Sequence, residues 1–514
     1  MRRLCFLAVL TLAVLSLHAQ MNYSQYQYAD ETQLWRLTRN AAGLSLDPQV
    51  CDSSANRGVA SLNVFHREGD YRRVQEGGMN NQLEFFTERY QKVGRYFYGY
   101  GSFRFDMGRT KDRAWSDVLR SYNSNPFISG SSVAGKYDSQ DIELKADLST
   151  VRLGRFTFGA GLLYKVGDLS RIRDPRSRIN LAEYRIAPAA TYFVGSHTVG
   201  LTAHYDRRKE KLPNLSTVQT DPNLKYYVMT GMENAEGAIG GYKGYMREYV
   251  NHEFGFEMSY GFTHGLFKSV NALTLDVGRE YVYGTNKYQP GRYKTLQYGF
   301  SSRNRLQRGG VIHSADLSVA YEMGAADEYK QERTITKDSI TGEPSTVWNT
   351  LITYRKRYQL KKFDLGVHYR QSFVDREAVA GYVGLSYDCW SVSNKHVLAT
   401  SQLKYTSSLF FLEGGYGLLG KRLWVSMEAS YLVNHDTELQ LYDASTDYAV
   451  GVLIPDMDYY RADYWQCTLS VQYLFPLTLG GRPSRWFAKA YGSYLKADNS
   501  MSGRNVGFSV GLYY

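Results

Sequence analysis

The last ten residues, Asn505 to Tyr514, constrain what the whole chain can fold into. Val506, Phe508, Val510, Leu512 and Tyr514 alternate with Asn505, Gly507, Ser509, Gly511 and Tyr513. A period of two marks a β-strand, whose side chains point to opposite faces in turn. One face is apolar to its last residue, and the other is small or polar. A soluble sheet does not leave such an edge exposed, because an apolar edge strand pairs with the next chain it meets. A strand with one face on lipid and the other on an aqueous lumen satisfies both faces, and it needs a closed barrel.

Other stretches carry the same alternation. In Asp141-Ile142-Glu143-Leu144-Lys145-Ala146-Asp147-Leu148 the odd positions are charged and the even ones apolar. Val250, His252, Phe254, Phe256, Met258, Tyr260 and Phe262 oppose Tyr249, Asn251, Glu253, Gly255, Glu257, Ser259 and Gly261, and Phe97, Phe103 and Phe105 oppose Tyr98, Ser102, Arg104 and Asp106. An Arg or Lys on the lipid face at the midplane costs about 2–4 kcal/mol, so the charged parity must point inward. Lumen-lining candidates are therefore Arg104, Asp106, Asp141, Glu143, Lys145, Asp147, Glu253, Glu257 and Glu428. A solvated, salt-bridged wall is their ordinary reading, and a selectivity surface for a solute is the functional one. Composition agrees: 45 Tyr and 23 Phe accompany a mean hydropathy of −0.43, a mixture suited to half-polar strands and aromatic girdles.

The amino terminus reads as a secretion signal over residues 1–19. Arg2 and Arg3 form the basic region, Leu4 to Leu17 the apolar run, and Leu17-His18-Ala19 the cleavage site before Gln20. Residues 20–57 lack strand alternation, and they predict a short periplasmic or lumenal helix with Asp30 as cap, Leu34, Leu37 and Ala41 as stripe and Gly43 as stop. A globular plug domain needs on the order of a hundred residues to bury a core, so this segment is not one. From Gly58 to Tyr514 the chain reads as barrel.

Short turns are expected near Val93-Gly94, Thr150-Val151, Gly195-Ser196, His264-Gly265, Arg308-Gly309, Lys361-Lys362, Ser393-Asn394, Gly420-Lys421 and Gly480-Gly481. Long extracellular loops are expected at about 108–137, 209–246, 324–350 and 435–459, all at the end away from the termini. The segmentation gives an antiparallel barrel of about 18–20 strands, the pair around Val397 to Gly420 being the weakest. Within 209–246, Tyr226, Tyr227, Tyr242 and Tyr245 stand among Gly237, Gly240, Gly241 and Gly244 and form a candidate recognition surface.

The chemistry-bearing residues form no motif. His66, His204, His252, His313 and His368 are scattered over different strands, with no Ser or Asp at catalytic spacing, so no hydrolase is read. Cys51, Cys389 and Cys467 are too few and too far apart for a disulfide framework or a metal site, and the parity of Cys389 and Cys467 puts both on the lipid face. No cofactor is called. The net charge of +11 is scattered and not clustered, which argues against nucleic acid and suits lipid phosphates and lipopolysaccharide at the rims.

The terminal strand, with Phe508, Val510, Leu512 and Tyr514 on one face, resembles the last strand of bacterial outer-membrane barrels, which the resemblance implies is read by the barrel-assembly machinery. Asn40-Ala41-Ala42-Gly43-Leu44 resembles the Asn-Pro-Ala-Gly turn near the start of fatty-acid-transporter-like barrels, with Ala41 in place of Pro. The signal, the segment from Leu34-Trp35 to Leu44, the Tyr-rich strands and the ending Gly511-Leu512-Tyr513-Tyr514 together resemble outer-membrane barrels of the Bacteroidota, whose genes often accompany nutrient-uptake systems. The resemblance implies localisation in the cell outer membrane. The expected function is a porin-like or substrate-selective channel for small nutrients. The alternative is a non-transporting scaffold whose loops bind a surface lipoprotein, a secretion complex or an uptake complex.

Overall fold

The computed structural model describes residues 22–46, 56–218, 224–239, 244–337, 344–479 and 482–513. The signal residues, Cys51, Tyr242, Gly240, Gly241 and Tyr514 lie outside them. Eighteen long strands form the wall. They are β1 (Arg57–Gly69), β2 (Met79–Val93), β3 (Phe97–Arg113), β4 (Gly135–Thr150), β5 (Phe156–Arg171) and β6 (Arg178–Val194). Then follow β7 (His197–Leu212), β8 (Arg247–His264), β9 (Phe267–Tyr283), β10 (Gly291–Arg308), β11 (Val311–Lys337) and β12 (Pro344–Asp375). The last six are β13 (Ala378–His396), β14 (Ser401–Leu418), β15 (Leu423–Asn434), β16 (Tyr464–Leu479), β17 (Arg482–Ala497) and β18 (Ser502–Tyr513).

Each strand pairs antiparallel with the next, and β1 pairs with β18 from Val59↔Tyr513 to Gly69↔Gly503, so the sheet closes on itself. Closure removes both edges and satisfies the ladder hydrogen bonds all round. No helix among the described residues is long and apolar enough to cross a membrane.

The two faces follow the alternation. Leu144, Leu148, Phe254, Phe256, Val506 and Phe508 stand on the outer surface, 42–63% exposed. Their neighbours Glu143, Asp147, Glu253, Glu257 and Asn505 turn inward. Cys389 is on the outward set with Leu385 and Cys467 with Leu469, both half-buried among their neighbours. An apolar belt of this extent is stable against hydrocarbon, not water.

The turns at Val93-Gly94, Thr150-Val151, Gly195-Ser196, His264-Gly265, Arg308-Gly309 and Gly420-Lys421 fall between strands as expected, at the end that holds both termini. Gly480-Gly481 lies outside the described residues, between β16 and β17. Two expected turns are wrong. Lys361-Lys362 is inside β12 and Ser393-Asn394 inside β13, and the β12–β13 turn is Arg376-Glu377, both at positive φ. The expected loop at 324–350 is also wrong for most of its length: β11 runs to Lys337 and β12 starts at Pro344, paired as a hairpin that projects past β10 and β13. Only about 9–11 residues of a tilted strand are needed to span a bilayer. These strands run well beyond the belt, so a polar pair within them ends nothing. Joining those segments gives 18 strands.

The interior is occupied at both ends by the chain itself. Residues 22–46 lie across the lumen at the end with the termini, as helix α1 (Tyr23–Thr32) and two short 3₁₀ turns. At the far end the loops 114–134 and 435–463, with residues 213–218, 224–239 and 244–246, fold inward over β8–β14. The last of these carries a π-helical turn at Ala449–Leu453 and helix α2 (Ile454–Arg461).

Leu144→Arg is expected to cost about 2–4 kcal/mol in urea unfolding from detergent or liposomes, against less than about 0.5 kcal/mol for Glu143→Gln. Equal costs would place Leu144 inside the lumen.

Candidate functional site

The amino-terminal plug is built locally and then tied to the wall. Asn22 caps α1 through a capping box with Gln25, and Asp30 sits inside the helix, so the expected cap is displaced by two turns. Tyr23 meets Trp424 edge-on at 5.2 Å, and Tyr26 lies 5.3 Å from Tyr513 and donates to Glu88. The buried Arg57 guanidinium covers Tyr90 at 4.5 Å and donates to Gln33. The Arg39 amide donates to Glu257 at 3.0 Å, and its guanidinium holds Asp276 with two bonds of 2.7 and 2.9 Å. Ser149 and Thr157 both donate to the Ala42 carbonyl at 3.0 Å, while Arg303 reaches the Leu37 carbonyl at 2.7 Å.

Wall glycines, among them Gly159, Gly200 and Gly261, make room for this segment. A Cβ on Gly159 would lie 2.4 Å from the Ala42 nitrogen, and one on Gly261 2.6 Å from the Trp35 ring. Missing side chains on the inward face let the plug lie against the strands.

The far cap has an apolar core of its own. Trp115 packs against Tyr227 with the rings tilted and their centroids 4.4 Å apart and meets Tyr448 edge-on, and Phe127, Met229, Val452, Met457 and Tyr460 pack with Tyr249, Val282, Tyr358 and Leu360 of the wall. Polar ties pin the loop 114–134 beneath it: Asn125 to Glu280 at 2.7 Å, the Leu119 amide to Glu210 at 2.8 Å, and Tyr249 to the Phe127 carbonyl at 2.6 Å. Tyr226 and Tyr227 are consumed here. Both are buried, Tyr226 against Ser129 and Tyr227 donating to Asp447, so neither is the surface residue expected from the loop's composition. Tyr245 packs on Tyr226 at 5.2 Å.

Between plug and cap lies a cavity of about 540 Å³ with a divided lining. Arg67 of β1, Arg113 and Arg73, the last ion-paired to Glu76, stand toward one side. Asn251, Glu253, Glu280, Thr295, Gln297 and Glu322 of β8–β11 form the opposite wall, with Arg208 tied to Glu280 at 2.7 Å. Arg120 hangs from the loop into the space, where the Arg208 guanidinium and burial push it below the ordinary arginine range. Two further cavities of about 340 and 730 Å³ flank the plug.

The sequence candidates divide over this interior. Arg104 faces Glu143 and Asp106 faces Asp141 across β3 and β4. Lys145, paired with Asp147 at 3.2 Å, lines the 340 Å³ cavity. Glu253 lines the central cavity, Glu257 holds the plug, and Glu428 stands opposite Glu413 on the far wall. Sequence reading missed the arginines of the cavity, Glu280, Glu322 and the anchor Arg39. The alternating run His204-x-Asp206-x-Arg208-x-Glu210 in β7 was the available signal for that wall.

Burial pushes the Asp456 carboxyl of α2 up to about 6, against the lowering effect of bonds from the Val74 amide and Tyr122 hydroxyl. Its folded value lies above the ordinary value of about 3.9, so the stability linked to its proton is full below about pH 4 and is lost as pH rises through 6. Opening of the cap, read by rate-corrected hydrogen exchange at 70–78 and 454–461, is expected to be about tenfold rarer at pH 5 than at pH 7.5. In Asp456→Asn the two pH values should give the same opening.

The sequence matches a family described as of unknown function (DUF6850) over residues 42–514. No curated protein matches it significantly. Among solved structures, the FrpB iron transporter from Neisseria meningitidis is 9% identical with a TM-score of 0.39, over 89% of this chain and 81% of that one. The siderophore receptor PirA from Acinetobacter baumannii is 9% identical at 0.38, over 89% and 80%. OpdK of Pseudomonas aeruginosa with vanillate is 10% identical at 0.36, over 89% and 98%. Likenesses this weak carry no functional information.

Proposed function

The chain belongs to DUF6850, a family of unknown function, so its activity must be read from its own geometry, and we propose that it is a gated, substrate-selective channel of the bacterial outer membrane. The solute is small and charged or zwitterionic, and residues 22–46 are the gate. The observation that carries this reading is the cavity of about 540 Å³, with Arg67 and Arg113 toward one side, Glu253 and Glu322 on the other, and two closed pairs, Arg73 with Glu76 and Arg208 with Glu280, between them. A transverse field of this kind orients a solute bearing both signs and filters by charge. A wall that served only solubility would scatter its charges. The apolar belt and the final strand support insertion in the outer membrane, with Phe508, Val510, Leu512 and Tyr514 as the assembly signal and lipopolysaccharide at the outer rim.

One observation favours a second reading, a subunit that docks a partner such as a surface lipoprotein. The β11–β12 hairpin stands clear of the rim with Ile335 and Leu351 59% and 57% exposed.

The test is conductance in planar bilayers, using the chain from Gln20 and a variant lacking residues 22–46. The full chain is expected to open rarely, and the deletion to give stable channels of porin size. In the deletion, Glu253→Gln with Glu322→Gln should shift permeability several-fold toward anions. Silence of both chains would reject the channel and favour docking.

A further inference from the structure

Two inward rows cross β7, β8 and β9. In the first, His204 pairs with Gly255 and Gly255 with Asp276; in the next toward the far end, Asp206 pairs with Glu253 and Glu253 with Gly278. A Cβ on Gly255 would fall 1.9 Å from Cε1 of His204 and 2.1 Å from Oδ1 of Asp276. The missing side chain is what allows the imidazole to lie across β8 among three carboxylates.

That imidazole is 4% exposed, and neither of its nitrogens has a hydrogen-bond partner among the described residues. A buried polar ring without a hydrogen bond is unfavourable and calls for a ligand. Nε2 stands 3.4 Å from Oδ1 of Asp276 and 4.0 Å from Oε1 of Glu253, and one atom each of His204, Asp206 and Glu253 lie within 4.8 Å of one another.

We propose that His204, Asp206, Glu253 and Asp276 form a binding site for a divalent transition-metal ion of the Zn²⁺ or Cu²⁺ type. Four ligands at about 2.1 Å from a tetrahedral ion stand about 3.4 Å apart. The His204–Asp276 pair is already at that spacing and Glu253 Oε1 is about 0.6 Å beyond it from Nε2, while Asp276, outside the 4.8 Å group of the other three, closes on it when the ion binds. The carboxylates are held from behind: Arg185 donates to both oxygens of Asp206 at 2.7 and 2.9 Å, and Arg39 does the same to Asp276. Such outer partners fix ligand orientation and leave the second lone pairs free. Three carboxylates against two guanidinium groups leave one negative charge, which a divalent ion offsets. An imidazole nitrogen in the set favours transition metals over Ca²⁺ and Mg²⁺, which take oxygen. Access is from the lumen on both sides, because Glu253 lines the central cavity and His204 the one beside the plug. The site stands whether or not the lumen conducts.

The test is equilibrium dialysis of the chelator-treated full chain from Gln20 in detergent against ZnCl₂, with electron paramagnetic resonance of the Cu²⁺-loaded protein. One tight equivalent is expected, weakened about a hundredfold in His204→Gln and in Gly255→Ala, which keeps all four ligands but fills the seat of the ring. His368→Gln removes a more exposed histidine beside Asp388 and should bind as the unaltered protein does. The Cu²⁺ spectrum should show splitting from one imidazole nitrogen, absent in His204→Gln. Equal binding by the unaltered chain and His204→Gln overturns the site, and so does a Cu²⁺ spectrum of the unaltered chain without nitrogen splitting, which decides the matter even where a variant does not fold.

Discussion

Pairing β1 with β18 satisfies the ladder all round, and in the same act it creates an interior that wall side chains alone cannot fill. Most other features of the molecule answer that constraint. An eighteen-stranded lumen must be wet or be filled by chain brought from elsewhere. Here both occur, with residues 22–46 at one end, three loops at the other and cavities between. The wall is written accordingly. Inward positions alternate charged residues with glycines, the charges to bear water and ion pairs, the glycines where backbone or a ring must come close, as at Gly159, Gly255 and Gly261.

Inward charges in such a barrel serve two purposes that the geometry separates. Where a pair closes on itself, as Lys145 with Asp147 or Lys362 with Asp364, the field is short-ranged and the residues keep the wall hydrated. Where the signs stand on opposite sides of an open volume, as Arg67 facing Glu253 and Glu322, the field crosses the volume and acts on whatever enters it. The central cavity belongs to the second kind.

The barrel was legible because its signal is local. Asp141 to Leu148 and Val250 to Phe262 each state, within one strand, which parity meets lipid, and the structure places them so. Lys361-Lys362 and Ser393-Asn394 misled because polarity marks the limits of the belt, not of the strand. The site was less legible for a different reason. His204, Glu253 and Asp276 come together through register across three strands, and nothing local fixes that register before the turns at Gly195 and Gly265 are placed. The burial of Tyr226 and Tyr227 was hidden likewise, since a loop that folds inward has the composition of one that folds outward. Residues 22–46 are too few to bury a core, yet a segment lying inside a barrel needs none, because the wall supplies the packing surface.

The two closures differ in kind, and that decides which one can move. The cap buries Trp115, Phe127, Met229, Val452, Met457 and Tyr460 in one cluster with wall residues of β8–β14. Opening it returns that apolar area to water at about 25 cal/mol per Å². The plug is held by separate polar ties, Arg39 to Asp276, Ser149 and Thr157 to Ala42, and Arg303 to Leu37, and by small, separate apolar contacts at Tyr23, Tyr26, Leu34, Trp35, Ala41, Ala42 and Leu44. Each neutral tie is worth about 0.5–1.5 kcal/mol net and the charged one about 1.5–3 kcal/mol, because water replaces them when they break. Cavities on both sides of the plug leave it without the close packing that makes a core resist displacement. Of the two ends, the one carrying residues 22–46 opens at the lower cost, and a solute held in the central cavity is separated from that end by polar ties that water can replace.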